Sequence, residues 1–255
     1  MHEWLGLNGP GTPIPNVSHG SIQTSSFFSA ARGQDVSYSI FWPRGPRPHH
    51  LVLALHGYGN DHSAAENDLG MSEFQAEAIA NGTPSFAVVS VDGGDGFYHP
   101  FHGDDAGAMI VNELLPRLAS AGLDTRRIGL YGWSMGGYGA LRLATILGVE
   151  RVAGVAAVSA ALWQSPSDAP AVSFTGPDDY TRYSVMHAQA ALSGIPIRLE
   201  DGDGDPFLNA DREFAATFSA DSGVHLSVTS GGHNPGYWRS RLLGDLVFLG
   251  RRLAS

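Results

Sequence analysis

The 255-residue chain predicts one α/β domain, built in three layers around a mostly parallel sheet of eight strands. Apolar runs typical of strands alternate with helical patterns along most of the chain. One apolar run breaks into Gly132-Trp133-Ser134-Met135-Gly136, a G-x-S-x-G motif that makes a tight turn into a helix. With 43% hydrophobic residues, 33 glycines and 15 prolines, the chain has enough material for a full core and many short turns.

Glycine, proline and asparagine dominate residues 1–20, which predicts an extended arm ahead of a single domain over residues 21–255. Residues 21–29 and 36–42 then favour an antiparallel hairpin, because apolar residues alternate along the second of these segments. The run 50–55 is continuously apolar, as expected of a strand that is buried on both faces.

From that point strands and helices alternate to the C-terminus. The predicted strands are 86–91, 127–131, 152–158, 197–200 and 225–229, and the predicted helices are 63–80, 104–121, 135–147, 180–192, 208–220 and 235–253, with an irregular stretch at 165–177. Two β elements followed by repeated β–α units give the element order of the α/β-hydrolase fold, with the G-x-S-x-G motif after the fifth strand.

The turn at residues 132–136, called the nucleophile turn below, predicts that Ser134 is a nucleophile. Gly132 and Gly136 are needed because close-packed backbones leave no room for a Cβ in such a turn. The turn lifts the serine hydroxyl above the sheet and puts the Met135 N–H at a helix N-terminus, where it can stabilise an anion. A structural serine in a glycine-rich turn is the alternative unless partners for Ser134 are found.

Those partners are expected on loops after the last two strands, the acid first and the histidine last. His233 is the one histidine after the last strand, so it is the predicted base. Three aspartates follow the preceding strand. Asp205 lies deepest in that loop, at the start of the next helix, and is preferred as the acid over Asp203 and then Asp201.

The same three aspartates also resemble the start of a calcium-binding EF-hand loop. The pattern then fails, because Pro206 stands where that loop requires glycine and Arg212 stands where it requires glutamate. Calcium is therefore the minor interpretation, and neither a metal nor a cofactor is predicted.

The oxyanion hole of such a site needs two backbone N–H donors. Met135 supplies one, directly after the nucleophile, and the turn His56-Gly57-Tyr58-Gly59 after the third strand supplies the other from Tyr58. His56 is interpreted as a hydrogen-bonded structural residue beneath the site rather than as a base.

Taken together, these stretches resemble the esterase D and antigen 85 (mycolyltransferase) group of esterases, over residues 26 to 253. The most similar segments are 134–141, 204–208 and 232–238, with 92–98 and 112–116 in addition. The resemblance implies a serine hydrolase acting on carboxylic esters. It also supports Asp205, because the acid of that group precedes the Phe-Leu pair of its loop.

The predicted function is a serine carboxylesterase that hydrolyses small or short-acyl esters through an acyl-enzyme on Ser134. One alternative is a mycolyltransferase-like acyltransferase to a sugar or polyol hydroxyl, and a second is a non-catalytic binding module. No large apolar insert separates the sixth and seventh strands, so no large lid is predicted. The candidate substrate-binding residues are Trp133, Phe97, Tyr98, Trp163 and Trp238.

The predicted site implies a small-molecule ester as the partner, and composition argues against other classes of partner. The net charge of −10 and the scattered basic residues argue against nucleic acid, and the absence of cysteine excludes a thiolate nucleophile and cysteine-bound zinc. No apolar run is long enough for membrane insertion. Since no signal peptide pattern is visible at the N-terminus, a cytoplasmic location is expected, with a secreted mature form as the alternative.

Overall fold

The computed structural model describes residues 11–255. Its strands are β1 (Ser21–Ser29), β2 (Gln34–Trp42), β3 (Leu51–Leu55), β4 (Ala87–Val91), β5 (Pro100–Phe101), β6 (Asp104–Asp105), β7 (Ile128–Trp133), β8 (Val152–Val158), β9 (Ile197–Gly202) and β10 (Val224–Thr229). Its helices are α1 (Ala64–Asn67), α2 (Met71–Ala80), α3 (Ala106–Met109), α4 (Leu115–Ser120), α5 (Met135–Leu147), α6 (Pro177–Tyr183), α7 (Gln189–Leu192), α8 (Leu208–Ala216) and α9 (Pro235–Leu253).

Eight strands form one sheet in the order β1-β2-β4-β3-β7-β8-β9-β10. Strand β2 is antiparallel to both of its neighbours, and the other neighbouring pairs are parallel. Strands β3, β4, β7 and β8 are buried along their whole length, as their apolar sequences predict. The predicted three-layer fold with a mostly parallel eight-stranded sheet is confirmed.

Helices cover both faces of this sheet. Side chains of α3, α4, α5 and α8 pack on one face, and those of α1, α2 and α9 pack on the other. The long helix α9 buries Leu242, Leu246, Leu249 and Leu253, a spacing of three and four residues that places them on one side of the helix. No helix of the described residues is long and apolar enough to cross a membrane.

Three predicted helices are interrupted. The helix expected over 63–80 breaks at Gly70, which has a left-handed φ of 67°. The helix expected over 104–121 starts two residues later, because Asp104–Asp105 pairs with Pro100–Phe101 in a small antiparallel ladder.

That helix also contains a π-helical turn at Ile110–Leu114, just before Pro116. A proline has no N–H to continue the regular hydrogen-bond ladder, so a widened turn ahead of it is a low-cost solution. The third interruption is in the helix expected over 180–192, which is split into α6 and α7.

The described part of the predicted arm, residues 11–20, contains neither helix nor strand. It lies against the start of α9, where Arg239 Nε donates a 2.7 Å hydrogen bond to the Thr12 carbonyl and Arg239 Nη1 donates one of 2.6 Å to the Asp68 carbonyl. Residues 1–10 of the arm lie outside the described residues. The division into an arm and one domain therefore stays a prediction.

Candidate active site

Ser134 lies between β7 and α5 with a φ of 56° and a ψ of −122°. A positive φ is strained for a residue with a side chain, and such strain is common at functional positions. The two flanking glycines make this turn possible. A Cβ on Gly132 would lie 2.1 Å from the Gly136 carbonyl oxygen, and one on Gly136 would lie 2.0 Å from the Leu55 carbonyl oxygen. Both positions require glycine, as the sequence predicts.

The three residues proposed as a triad form one hydrogen-bonded chain. His233 Nε2 is 2.8 Å from Ser134 Oγ, and His233 Nδ1 is 3.1 Å from Asp205 Oδ2. An ionised carboxylate can only accept, so Nδ1 carries the proton and Nε2 is left to accept the serine hydroxyl. This arrangement can remove a proton from Ser134 and stabilise the imidazolium that results.

Asp205 is held in its ionised form. Burial by itself would raise the pKa of this carboxyl, but the hydrogen bond and charge of His233 act against burial, and the net effect is a pKa below the ordinary value. The Ser159 hydroxyl and the Phe207 N–H, which donates to Oδ1 at 2.9 Å, act in the same direction. The carboxylate therefore stays charged and can orient the imidazole.

The other two aspartates of this loop have different neighbours. Asp203 is exposed and its Oδ1 accepts the Gly231 N–H at 3.0 Å. Asp201 is buried and faces Asp211 of α8. The three carboxyl groups thus do not converge on a common point as the ligands of one ion would.

The turn after β3 lies directly beside the nucleophile. A Cβ on Gly57 would be 3.4 Å from Ser134 Cβ, so the residue before Tyr58 packs directly against the nucleophile. The roles of the Tyr58 and Met135 N–H groups as oxyanion donors stay a prediction. Within residues 11–255 neither of these two N–H groups donates a hydrogen bond. The turn is held by Asp95, whose Oδ1 accepts the Gly59 N–H at 2.7 Å, a contact that sequence reasoning did not find.

His56 is buried beneath this turn and bonds on both sides of its ring. Nε2 accepts the Gly93 N–H at 2.8 Å, so Nδ1 carries the proton and donates to the Gly57 carbonyl at 2.8 Å. Burial lowers the pKa of this imidazole, which keeps it neutral. The interpretation of His56 as a structural residue is confirmed.

Two of the predicted substrate-binding residues are wrong. Trp133 and Tyr98 have no exposed surface. Trp133 follows Tyr131 on the face of β7 that packs against α9, and Tyr98 donates its hydroxyl to the His56 carbonyl at 3.1 Å. In a strand that is covered on both faces, a bulky residue next to the nucleophile points into the core, and the local sequence pattern does not reveal this.

Phe97 and Trp163 belong to an aromatic group that reaches the triad. Their rings are 5.4 Å apart, and Trp163 is half-buried. Trp163 also contacts Phe207 at 5.6 Å, and the Phe207 ring lies 5.2 Å from that of His233. Phe97, only 4% exposed, also contacts Tyr58 at 6.1 Å. Substrate contact by Phe97 and Trp163 stays a prediction, and Phe207 is an addition made by the structure.

Trp238 supports the triad from the side of α9. Its ring lies 5.2 Å from the His233 ring, and its Nε1 donates to Ser159 Oγ at 3.1 Å. Only 7% of Trp238 is exposed, so its contacts are mostly internal. Ser159, buried and with a φ of 51°, links Trp238 to Asp205. Ser159 follows a continuously apolar strand, and the sequence carries no motif that would single it out.

Comparison of the sequence with known protein families gives a match over most of the chain. A sequence model of the family described as "Putative esterase" matches residues 29–249, which is most of the chain. The chain belongs to this esterase family. The match confirms the resemblance stated above and the predicted class of enzyme, a hydrolase of carboxylic esters.

Solved structures similar to this esterase share its fold. A ferulic acid esterase superposes with a TM-score of 0.78 at 22% identity, covering 91% of this chain and 98% of the other. An S-formylglutathione hydrolase from Agrobacterium tumefaciens gives 0.77 at 18% identity, covering 93% and 99%. The serine hydrolase FphF from Staphylococcus aureus, described as fluorophosphonate-binding, gives 0.74 at 16% identity, covering 91% and 99%. A search among curated protein sequences returns no match.

Proposed function

We propose that this esterase hydrolyses small or short-acyl esters through an acyl-enzyme on Ser134. The observation that supports the proposal best is the hydrogen-bonded chain from Asp205 through His233 to Ser134, with distances of 3.1 and 2.8 Å. The N–H groups of Tyr58 and Met135 beside it are the two donors that an acyl-transfer site requires.

The reaction follows from these positions. His233 Nε2 takes the proton of Ser134 as Oγ attacks the ester carbonyl carbon, and the oxyanion that forms accepts hydrogen bonds from the Tyr58 and Met135 N–H groups. His233 then gives its proton to the departing alcohol. In the second half it deprotonates a water that attacks the acyl-enzyme, and the acid product leaves with Ser134 restored. Asp205 stays ionised throughout and fixes the tautomer.

The surroundings of Ser134 support a compact acyl group. Aromatic rings of Phe97, Trp163 and Phe207 stand close together beside His233. The segment between β8 and β9 holds only the short helices α6 and α7. Aromatic acyl groups are included in the proposal, because such rings stack well on one another and similar structures include a ferulic acid esterase and an arylesterase.

The test combines labelling with turnover. Intact-mass analysis after treatment with a fluorophosphonate is expected to give one adduct, located on Ser134, and p-nitrophenyl esters with two to four acyl carbons should turn over faster than longer ones. Ser134→Ala should remove the adduct and lower kcat by several orders of magnitude without changing the fold.

Asp205→Asn and Asp203→Asn form a matched pair from one loop. We expect the first to lower kcat by roughly 10⁴, since the imidazole tautomer is no longer fixed, and the second to leave kcat unchanged, because an amide oxygen can still accept the Gly231 N–H. Ester hydrolysis retained by Ser134→Ala would overturn the proposal. Labelling with little hydrolysis would favour the acyltransferase, and no labelling at all would favour the binding module.

A further inference from the structure

Two buried carboxyl groups that the reaction does not use lie at the two ends of the acid loop, defined here as residues 202–207. Asp201 lies in β9 directly before this loop, and Asp211 lies in the first turn of α8 directly after it. Both are 0% exposed, and their carboxyl groups lie within hydrogen-bonding reach of each other.

The other buried carboxyl groups of residues 11–255 each lie beside a basic side chain, which for Asp205 is His233. Glu200 pairs with Arg198 and Arg241, and Asp245 lies 3.4 Å from Arg198. Asp201 and Asp211 have no such partner. In the part of the chain that the structure describes, neither carboxyl forms a salt bridge and no side-chain donor reaches their four oxygens, although the Ala160 N–H faces Asp211.

Two charged carboxylates cannot stay in contact away from water, so the pair must keep a proton. Burial raises the pKa of Asp201 to about 7 and that of Asp211 well above its ordinary range. The charge of Asp201 raises the pKa of Asp211 further, whereas the hydrogen bond from Asp211 lowers the pKa of Asp201. Asp205 and Glu200, the neighbouring negative groups, add to the effect on Asp201, and Arg212 opposes it without forming a salt bridge. The stable form is one O–H···O hydrogen bond between the two carboxyls.

We propose that Asp201 and Asp211 are positioning residues that share one proton and thereby close the acid loop, holding Asp205 against His233. The inference rests on the proposed function, because Asp205 matters only if His233 is the base. The connection is short. The Asp205 N–H donates to the Gly202 carbonyl at 3.1 Å, and the Asp211 N–H donates to the Phe207 carbonyl at 3.0 Å. Because of these hydrogen bonds, a movement of Asp201 or Asp211 also moves Asp205.

Loss of the shared proton breaks the hydrogen bond between the Asp201 and Asp211 carboxyl groups. With both carboxyls charged, they repel each other and Asp205, and the loop end at Asp201 moves away from α8. His233 is then less well oriented, because its hydrogen bond to Asp205 is weakened. Since that hydrogen bond stabilises the transition state, kcat should fall more than KM rises. Asp211 keeps the shared proton after Asp201 titrates near pH 7, so activity of the wild-type enzyme should decline only at the more alkaline pH at which Asp211 titrates.

Asparagine at either position can imitate the protonated acid, because its amide N–H donates to the remaining carboxylate and cannot be lost with pH. We expect Asp211→Asn to keep kcat within about twofold of the wild type near pH 6 and to remove the alkaline decline. Asp201→Asn should behave the same way and serves as the second variant if the first does not fold. Asp211→Ala leaves Asp201 buried without a donor, and kcat should fall about tenfold with KM unchanged.

The measurement is kcat and KM from about pH 5.5 to about pH 10.5, together with circular dichroism and the downfield Nδ1–H resonance of His233, which reports its bond to Asp205. Asp203→Asn, at an exposed aspartate of the same loop, is the control and should keep the wild-type profile.

Thermal melts give an independent readout. The folded pair holds protons that unfolded carboxyls release at about pH 4, so wild-type stability should fall as the pH rises from about 4 through about 7 and on to the pH at which Asp211 titrates. The fall should be less steep in Asp211→Asn.

Profiles of Asp211→Asn and Asp201→Asn that superpose on the wild-type profile would overturn the inference. So would a lower melting temperature of Asp211→Ala with unchanged kcat, because that result describes a purely structural pair. Failure of the proposed function looks different. In that case the wild-type enzyme itself carries no fluorophosphonate on Ser134 and hydrolyses no ester at any pH.

Discussion

Replacing Gly136 by alanine is expected to damage both stability and turnover, because α5 begins directly against the backbone of β3. The added Cβ would lie 2.0 Å from the Leu55 carbonyl oxygen, 2.5 Å from its carbonyl carbon and 2.8 Å from the His56 carbonyl oxygen. Cβ atoms in proteins essentially never approach heavy atoms within 3.0 Å, so the start of α5 must retreat by 3.0 − 2.0, about 1 Å.

The size of the loss in stability depends on which atoms must move to make room for the added Cβ. Overpacking costs about 1–3 kcal/mol where side chains can yield. Here the obstacles are carbonyl groups of a central strand, so we expect a loss of roughly 3 kcal/mol in the free energy of unfolding, or about 6–12 °C in Tm for a chain of this size. The same retreat separates the Met135 N–H from the Tyr58 N–H. Loss of one oxyanion donor lowers kcat by about 10²–10³.

Gly244→Ala is the matched control. Gly244 lies in helix α9, and the atoms nearest to its added Cβ are Arg198 Nη2 at 3.6 Å and Nη1 at 3.8 Å, which are ordinary contacts with a flexible side chain. The substitution should raise stability by about 0.5–1 kcal/mol, because alanine favours a helix over glycine. Calorimetry and kcat for p-nitrophenyl acetate test both variants. A Gly136→Ala enzyme that melts and turns over like Gly244→Ala would refute the reasoning.

Three further substitutions test the surroundings of the triad. Ser159→Ala removes a hydroxyl that stabilises charged Asp205, so kcat should fall about tenfold and the acidic limb of its pH profile should move to higher pH, as titrated esterase assays can show. Asp95→Ala frees the Gly59 N–H and should lower kcat about tenfold with Tm nearly unchanged, while Asp95→Asn keeps an acceptor oxygen and most of the activity. Trp163→Ala should raise kcat/KM for longer acyl chains relative to acetate in a p-nitrophenyl series, because it opens the aromatic group beside His233; an unchanged ratio would place the acyl chain elsewhere.

The candidate triad shows which site residues can be identified from sequence motifs. Ser134 and His233 follow from the position of a turn and from the one histidine after the last strand. The acid was a choice among three aspartates with similar sequence surroundings. Only the folded loop separates them, with Asp205 beside His233, Asp203 in solvent and Asp201 against Asp211.

The aromatic residues show that sequence motifs do not predict which side chains line the site. Trp133 and Tyr98 are candidates for substrate contact because they follow the carboxyl ends of predicted strands, yet both are completely buried. Phe207 and Ser159 were missed, although the first contacts His233 and the second lies beside Asp205. Sequence neighbours of a catalytic residue on a buried strand alternate between two covered faces, so adjacency along the chain does not imply adjacency to the substrate.

The sequence by itself determined the order of strands and helices, the nucleophile turn and the class of fold, because hydrophobic periodicity and glycine requirements act over a few residues. Tertiary structure alone decided which carboxyl group contacts His233, at a separation of 28 residues along the chain, and how Ser134 contacts His233, at a separation of 99 residues. It also decided that Asp201 and Asp211 face each other without a cation between them. These relations depend on distances between separate elements and on the exclusion of water around them, and neither quantity is encoded in any single stretch of the chain.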